Sequence, residues 1–372
     1  MKKGWEYRGF ESCLIKVSKQ VQVKSKDYKK EGKFPIVSQE AELISGYWDD
    51  EAIVYKHKEP VVIFGDHTKN IKYVDFDFVV GADGTHILST KNDIVPKFFY
   101  YVLKSIKLRE LGYARHYKLL KEKYIPVPPL SEQQSIVDYL DSAFANIDAM
   151  KANAGKALNE AKALFQASLK EMLEPKEGWE EKTLGELATD MYRGSGIKRD
   201  QVTKEGTPCV RYGEIYTTYN VGFDSCVSHT KEEYISSPKY FEHGDLLFAI
   251  TGESVEDIGK TIAYLGNEKC LCGGDIICMK HMQNPKFLAY ALSTPDAIRQ
   301  KGMGKTKLKV VHTNAPSLKA ISIPVPTLAE QQSVVDSLDS LKSKVDRLQD
   351  NYEKISQECD ALKQAILRQV FE

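Results

Sequence analysis

One stretch of the sequence occurs twice, and this repeat limits the possible folds more than any other feature. Residues 125–148 align without a gap on residues 323–346, and 15 of the 24 aligned positions are identical. The same offset continues to the end of the chain, and the KKGWE at residue 2 recurs as KEGWE at residue 176. The sequence therefore predicts a tandem duplication of two units, 1–174 and 175–372, and not a solenoid of many short repeats.

The back of each unit has the pattern of one long helix. Proline cannot continue inside a helix, so Pro128, Pro129 and Pro326 end the preceding segments and the helices begin beyond them. Apolar residues then recur at alternating spacings of three and four for more than four heptads, which favours a coiled coil. In the first copy they are Ile136, Leu140, Ala143, Ile147, Met150, Ala154, Ala157, Ala161 and Leu164; in the second they are Val334, Leu338, Leu341, Val345, Leu348, Tyr352, Ile355, Cys359, Leu362 and Ile366.

The two predicted seams differ in side-chain size, because the first is rich in alanine and the second in large residues. Small residues opposite large ones fill a shared volume, so the two helices are expected to pair within one chain. Ala154 and Ala157 are then expected to lie opposite the region of Leu348 and Tyr352. A homo-oligomeric coiled coil is the alternative. Each helix should have about 44 residues and a length of about 66 Å.

The front of each unit alternates short apolar runs with turns, which is typical of α+β structure. The predicted strands are 34–37, 52–55, 61–64, 78–80 and 86–88 in the first front, and 208–211, 245–250, 261–265 and 276–279 in the second. One helix is expected in matching places, at 96–103 and 285–292. We divide the chain into fronts 1–124 and 175–322 and helical backs 125–174 and 323–372. Related fronts with different surface residues suggest two different ligands on one scaffold.

Composition and charge exclude several classes of protein. No run approaches the roughly 18 apolar residues that a membrane span needs, so no membrane association is expected. The seven cysteines form no CxxC pair, and Cys270, Cys272 and Cys278 are interpreted as reduced residues packed in strands of a cytoplasmic protein, with a metal or redox site as the alternative. The net charge is zero, but residues 1–130 hold 23 basic against 17 acidic side chains. Any nucleic-acid binding would therefore use local patches.

The Pro-x-Pro-x-Leu-x-Glu-Gln-Gln motif, present twice and each time between a variable front and a long helix, resembles the specificity subunits of Type I restriction-modification enzymes. The resemblance covers the whole chain, although Thr327 and Ala329 replace Pro and Ser in the second copy. It implies two target recognition domains, each of which reads one half of a split double-stranded DNA site, and two helices that pack antiparallel with a pseudo-twofold relation. It also implies partners: DNA methylation subunits, two of which are expected, and restriction subunits. It implies neither catalysis nor a cofactor or metal.

DNA contacts require cationic or hydrogen-bonding side chains, with aromatic ones to stack, and three stretches supply them. The first is the lysine-rich segment 16–33, which contains Lys24 and Lys26. The second is 112–124 and the third is 299–309, and both precede a Pro-rich stop. The candidates in the last two are Arg115, His116, Tyr117, Lys118, Lys305, Thr306 and Lys307.

A further pair of candidates follows a glycine–proline turn that the two fronts share. Gln39 in the first front and Arg211 with Tyr212 in the second could pair with adenine and guanine in the major groove. Surface residues at the ends of strands are an equally good interpretation. Arg193 and Lys198 are weaker candidates of the same kind.

Enzyme motifs are incomplete in this chain. NPKF at 284–287 resembles a methyltransferase loop, but its counterpart at 95–98 is VPKF, and Pro96 and Pro285 suit the first turn of equivalent helices. GKT at 304–306 lacks the upstream glycine of a phosphate-binding loop. A coiled-coil scaffold that binds only proteins is the remaining alternative to a DNA-recognition subunit.

Overall fold

The computed structural model describes residues 4–109, 112, 114–252, 254–255, 257–304 and 311–372. The chain divides into two compact units. The first combines Met1–Gly155 with Asn351–Glu372, and the second is Lys156–Asp350. Each unit thus contains one front, the beginning of the long helix that follows that front, and the end of the other long helix.

The first front is a series of short strands with two short helices. Its strands are β1 (Glu6–Gly9), β2 (Leu14–Ile15), β3 (Gln22–Val23), β4 (Phe34–Val37), β5 (Gly46–Trp48), β6 (Val54–Tyr55), β7 (Val61–Gly65), β8 (Ile71–Val74), β9 (Phe78–Gly81), β10 (Thr85–Thr90) and β11 (Tyr124–Val127). The helices are α1 (Pro96–Ser105), α2 (Tyr117–Lys121) and α3 (Leu130–Leu173), with 3-10 turns at Phe10–Cys13, Ser25–Asp27 and Glu51–Ile53. The predicted strands are confirmed except 52–55, which is a strand only over its last two residues because a 3-10 turn occupies 51–53.

The second front follows the same plan with more strands. They are β12 (Glu180–Thr183), β13 (Ala188–Arg193), β14 (Val202–Thr203), β15 (Thr207–Val210), β16 (Gly222–Phe223), β17 (Ser228–Thr230), β18 (Tyr240–Phe241), β19 (Leu246–Ala249), β20 (Thr251–Gly252), β21 (Thr261–Tyr264), β22 (Cys270–Cys272), β23 (Ile276–His281), β24 (Val311–His312) and β25 (Ser322–Val325). The helices are α4 (Leu184–Leu187), α5 (Tyr212–Thr217), α6 (Pro285–Ala291), α7 (Pro295–Gly302), α8 (Ala315–Lys319) and α9 (Leu328–Phe371), with 3-10 turns at Arg199–Gln201 and Glu232–Tyr234. The predicted strand 208–211 ends one residue earlier, because Arg211 precedes α5.

The strand order repeats between the fronts. In the first, β2-β10-β7-β8 form one sheet and β3-β9-β4-β5 another, with β6 also paired to β9. In the second, the corresponding sheets are β13-β23-β19-β21-β16 and β14-β17-β15-β22-β18. The parallel pair β4/β9 matches the parallel pair β15/β22, and the antiparallel pair β1/β11 matches β12/β25. The duplication seen in the sequence is therefore a duplication of topology.

Each front builds its core against the far end of the other copy's long helix. In the first unit, Leu367 and Phe371 of α9 are buried, and the Phe371 ring meets Phe98 of α1 edge-on at 5.6 Å. In the second unit, Leu169 and Leu173 of α3 are buried in the same way against the α6 region. The long helices thus end inside hydrophobic cores, which stabilises them beyond their own helical propensity.

The two long helices pair antiparallel, as the resemblance implied. In the first unit, Lys363 binds Asp148 at 2.5 Å and Lys151 approaches Asp360 at 3.4 Å. In the second unit, Lys162 donates to Gln349 at 2.7 Å. The partner's number falls as the position along α3 rises, which is the signature of antiparallel pairing. The predicted length of about 44 residues is confirmed for both helices.

The predicted seam is wrong at five of its nineteen residues, three on α3 and two on α9. Leu140, Ile147 and Ala154 are at least partly buried as expected, but Met150, Ala157 and Leu164 are exposed. At these three positions the residue one place later is the more buried one: Lys151, Leu158 and Phe165. The same displacement occurs at two positions of α9, where Leu348 and Leu362 are exposed while Gln349 and Lys363, one place later, are partly buried. The sequence misled because several inward positions are polar and their outward neighbours are apolar.

Small does meet large in the pair of helices, but at a different residue from the one predicted. Ala157 is exposed, so the expectation that it lies in the seam is wrong. Gly155 is the close contact: a Cβ atom there would stand 3.2 Å from the ring of Tyr352. The principle of volume complementarity therefore holds, with glycine rather than alanine as the small partner.

The repeated Glu-Gln-Gln motif joins each long helix to its front. Gln133 is fully buried; its Oε1 accepts from the Val95 N–H at 2.8 Å, and its Nε2 donates to the carbonyls of Asp93 and Pro128. Gln331 repeats this with the Asn284 N–H, the Gln283 side chain and the Pro326 carbonyl. The replacement of Pro by Thr327 is also explained, because Thr327 and Glu330 form a capping box at the start of α9.

A second polar contact reinforces this joint in both copies. Asp141 of α3 accepts from Lys97 at 2.7 Å and also from Tyr101, both on α1. Asp339 of α9 accepts from Lys286 and, at 2.8 Å, from Tyr290 on α6. Because these bonds are partly buried, they fix the angle between the long helix and the helix of the front.

Candidate nucleic-acid interface

The first front has a cleft of about 760 Å³ beside the ends of several strands. The segment after β2, the turn before β10, the residue after β7 and the start of α2 form its walls. Basic, acidic and aromatic side chains face the same space: Lys16, Lys19, Asp66, His86, Arg115 and Tyr117. Loops at strand ends can carry such groups because the sheet beneath them is rigid.

Asp66 lies at the floor of this cleft and organises it. Its side chain is only 6% exposed, and one carboxylate oxygen accepts from the Tyr117 N–H at 2.7 Å. The other oxygen is 3.4 Å from His86 Nε2 and 4.0 Å from Arg115 Nε. His86 stacks on the Tyr117 ring at 4.0 Å, and burial raises the pKa of the Tyr117 hydroxyl. One buried carboxylate thus bonds the backbone of Tyr117 and lies within 4.0 Å of the His86 and Arg115 side chains.

Two of the predicted contact residues serve the fold of this front. His116 is 1% exposed, and its backbone N–H and its ring both face the carbonyl of Asp66. Gln39 donates through Nε2 to the Asp83 carbonyl, and its Oε1 accepts from the His67 N–H. The amide of Gln39 is therefore already engaged on both sides by the loops around it. Both residues hold these loops in place; His116 is buried, whereas Gln39 stays partly exposed.

The other candidates of the first front are accessible. Arg115 is exposed at the cleft, Tyr117 is half-buried in its wall, and Lys118 is exposed next to it on α2. Lys24 and Lys26 are exposed at the 3-10 turn after β3. The structure thus brings Arg115 and Tyr117 into one cleft.

The second front has a smaller cleft, of about 100 Å³, at the corresponding place. Arg211 and Tyr212, at the start of α5, face the turn 273–275 before β23. The backbone at 194–196 lies against this turn so closely that a Cβ on Gly194 would stand 2.2 Å from the Gly273 carbonyl. Glycine is required there for close approach of the two backbones.

The cationic candidates around this second cleft differ in how they are held. Arg193 donates through Nε to the Gly274 carbonyl, and its Nη2 binds Asp275 at 2.8 Å. Lys198 is exposed just before a 3-10 turn. Lys305, Thr306 and Lys307 lie outside the described residues.

The residues around Asp66 in the first cleft were not predicted as contacts. Asp66 and His86 belong to no sequence motif, and Lys16 and Lys19 stand out only as part of the lysine-rich segment 16–33. The available signal for Asp66 was its place directly after the buried strand VVIFG, since a polar side chain at such an end lies at the sheet edge where loops gather.

Within the described ranges, no group of three or more His, Cys, Asp or Glu side chains is arranged to hold a metal ion. Cys270 and Cys272 are buried in β22, and Cys278 is buried in β23, as the interpretation of strand-packed thiols expected. None of the helices described is both long and apolar enough to cross a bilayer.

Comparison with known proteins gives a consistent result. The family described as "Type I restriction modification DNA specificity domain" matches twice, over residues 3–159 and 176–357. The Type I restriction enzyme EcoR124I/EcoR124II specificity subunit of Escherichia coli is 25% identical over 338 residues, which cover 85% of this chain and 81% of the relative.

Solved structures share the fold along the whole chain. A chain from the structure described as "Structural basis underlying complex assembly and conformational transition of the type I R-M system" has a TM-score of 0.71 at 18% identity, covering 100% of this chain and 98% of that one. The HsdS subunit from Thermoanaerobacter tengcongensis has a TM-score of 0.52 at 20% identity, covering 100% and 97%. At these identities the likeness establishes the fold alone.

Proposed function

The chain belongs to the family of Type I restriction-modification DNA specificity proteins, and from that membership we propose that it reads a split, asymmetric double-stranded DNA site. The observation that carries this proposal is that the family matches once in each repeat. Each front also has a cleft at the same place in its topology, with different side chains in the two. Equivalent clefts with different linings suit two different half-sites. Family membership supports DNA recognition over the protein-only scaffold.

Among the sequence-predicted residues, we propose that the accessible ones make the DNA contacts. In the first front they are Lys24, Lys26, Arg115, Tyr117 and Lys118; in the second they are Arg193, Lys198, Arg211 and Tyr212, with Lys305, Thr306 and Lys307 kept as candidates. Their cationic groups suit phosphates and base acceptors, and the tyrosines suit stacking. Gln39 and His116 are assigned instead to holding the loops of the first front.

We further propose that the chain is non-catalytic and docks the methylation subunits, two per chain, through which restriction subunits join. The duplication offers two equivalent docking places. Large apolar side chains point outwards along both long helices: Met150 is 60% exposed and Leu164 62% on α3, and Leu348 and Leu362 are exposed on α9. An exposed apolar stripe on a long helix is suited to protein partners. No cofactor is assigned to the chain itself.

The domain limits and the compartment belong to the same proposal. The fronts 1–124 and 175–322 act as target recognition domains, and the backs 125–174 and 323–372 carry the spacer helices. A recognition subunit must share a compartment with its DNA, so the proposal includes the cytoplasmic location predicted from cysteine usage.

Reconstitution of the full chain with its methylation subunits tests these assignments. S-adenosylmethionine and a library of duplexes are supplied, and the modified sequences are read. The expected product is one asymmetric split motif, and exchange of residues 1–124 for the front of a relative should change one half only. Robust methylation by the chain alone would refute the non-catalytic assignment. Equal binding to scrambled duplexes would instead favour the protein scaffold.

A further inference from the structure

Arg115 is exposed at the cleft, with the Nε of its side chain facing a buried carboxylate. Its side chain is 78% exposed, while its Nε lies 4.0 Å from the buried carboxylate of Asp66. Asp66 is fixed in turn by the Tyr117 N–H at 2.7 Å. Among the described residues, the ion pair of Arg115 is made with Asp66. An ion pair made through Nε leaves the terminal Nη groups to a further partner.

The surroundings of Arg115 suit a polyanion. Lys16 and Lys19 line the same cleft, and Lys118 is exposed beside it. Three acidic residues also line the cleft: Asp66 is buried under the His86 and Arg115 groups, Glu11 is paired with Lys121 at 2.7 Å, and Asp83 is exposed in the turn before β10. A phosphate backbone would therefore meet lysines at the mouth before a base edge reached the guanidinium.

We infer that Arg115 reads a guanine of the half-site assigned to the first front, with Asp66 as its positioning residue. The inference rests on the function proposed above. Guanine presents two acceptors, N7 and O6, to the major groove, and a guanidinium matches them with two parallel N–H donors. Adenine presents a donor in place of O6, so it would oppose the second N–H. Asp66 lies at ion-pair distance from Nε without a hydrogen bond, so it biases the position of the guanidinium by charge attraction.

One arginine beside the second cleft, Arg193 at the end of β13, is held differently. Arg193 uses Nε on the Gly274 carbonyl and Nη2 on Asp275, so its own turn occupies part of the fork. The variants of Arg115 change no residue of the second front. The second half-site becomes an internal control for changes at Arg115.

The test uses the full chain in complex with its methylation subunits and a duplex library randomised across both half-sites. Arg115→Ala, Arg115→Lys and Asp66→Asn are compared with wild type. Lys118→Ala removes an equal charge three residues along, outside the cleft lining. The half-site of the first front is the one that changes when residues 1–124 are exchanged. Circular dichroism and hydrogen exchange establish that each variant is folded.

The wild-type half-site should contain a guanine, on either strand, at one position. Arg115→Ala should weaken the base preference at that position. Preference for that base should fall on the order of 10- to 100-fold, with the second half-site unchanged. Arg115→Lys should relax the same position, because a lysine cannot form the fork, and it keeps the charge if the alanine variant is unstable. Asp66→Asn should relax it less. Lys118→Ala should lower methylation of all sequences equally. It should also reduce the slope of log binding affinity against log salt concentration by about one.

A first half-site without guanine would overturn the inference. A uniform loss for Arg115→Ala with every base preference intact would also overturn it, since that is the behaviour of a phosphate contact. Both results leave the proposed function standing. A wild-type complex that methylates without sequence preference would instead refute the proposed function itself, before any variant is made.

Discussion

Gln133 and Gln134 are adjacent and of the same residue type, but the structure gives them opposite roles. Gln133 is fully buried and makes three hydrogen bonds to the front, whereas Gln134 is exposed and bonds only Asp138 on its own helix among the described residues. Gln133→Ala should therefore destabilise the first unit strongly, and Gln134→Ala should barely change it. The pair is a matched experiment within one motif.

The magnitude follows from the groups left without partners. Gln133→Ala removes the hydrogen-bond partner of the Val95 N–H and of the carbonyls of Asp93 and Pro128. At about 1 kcal/mol for each lost bond, with more where the partner stays buried, the loss is about 3 kcal/mol. Gln134→Ala removes one exposed i,i+4 contact, for a loss of about 0.5 kcal/mol or less.

The second copy refines the comparison. Gln331 bonds one N–H, one carbonyl and the side chain of Gln283, which is only partly buried and can turn to water. Gln331→Ala should therefore cost about 1 kcal/mol less than Gln133→Ala.

Hydrogen exchange is the assay, because it resolves the two units separately. Peptides that cover residues 93–103 report the Val95 N–H directly, and urea unfolding followed by circular dichroism gives the free energy of unfolding. Gln133→Ala should accelerate exchange in these peptides, and Gln134→Ala should not. If the two variants lie within 0.5 kcal/mol of each other (about the size of a surface effect), the buried-joint argument is refuted.

Three further perturbations test the rest of the structure. Gly155→Leu should overpack the contact with Tyr352 and cost about 1–3 kcal/mol in urea unfolding, while Ala157→Leu at an exposed position should be nearly neutral; equal losses would contradict the corrected seam. Burial lowers the pKa of Lys301 to about 7, so between pH 7 and about 10.5 the unfolded chain binds a proton that the folded chain does not, and stability should rise with pH across that window. Lys301→Met should abolish this slope. It should also raise the free energy of unfolding at pH 7 by about 2 kcal/mol, because the cost of burying the lysine charge, up to about 5 kcal/mol, outweighs the two hydrogen bonds that the lysine donates. An unchanged slope would show that another group titrates. Inserting one heptad into each long helix adds about 10 Å, so the gap in the methylated motif should lengthen by about 3 base pairs with both halves kept; an unchanged gap would mean that the helices do not set it.

Several features were determined by the sequence alone. The duplication, the two helices of 44 residues and the matching short helices at Pro96 and Pro285 all appear in the structure. These features depend on local rules. Proline stops, periodic apolar residues and β-branched runs act within a few residues of each other, so they can be recognised without knowing which segments meet.

The tertiary structure decided what faces what. The sequence placed Ala157 in the seam, but Leu158 is buried, because several inward positions carry polar residues such as Lys151 that find partners on the other helix. The sequence also predicted DNA contacts for Gln39 and His116, whereas in the structure both bond loops that are distant in the chain. Asp66 and Arg115 meet across 49 residues for the same reason. A polar side chain is satisfied by whichever group the fold brings to it, and no local pattern in the sequence records that partner.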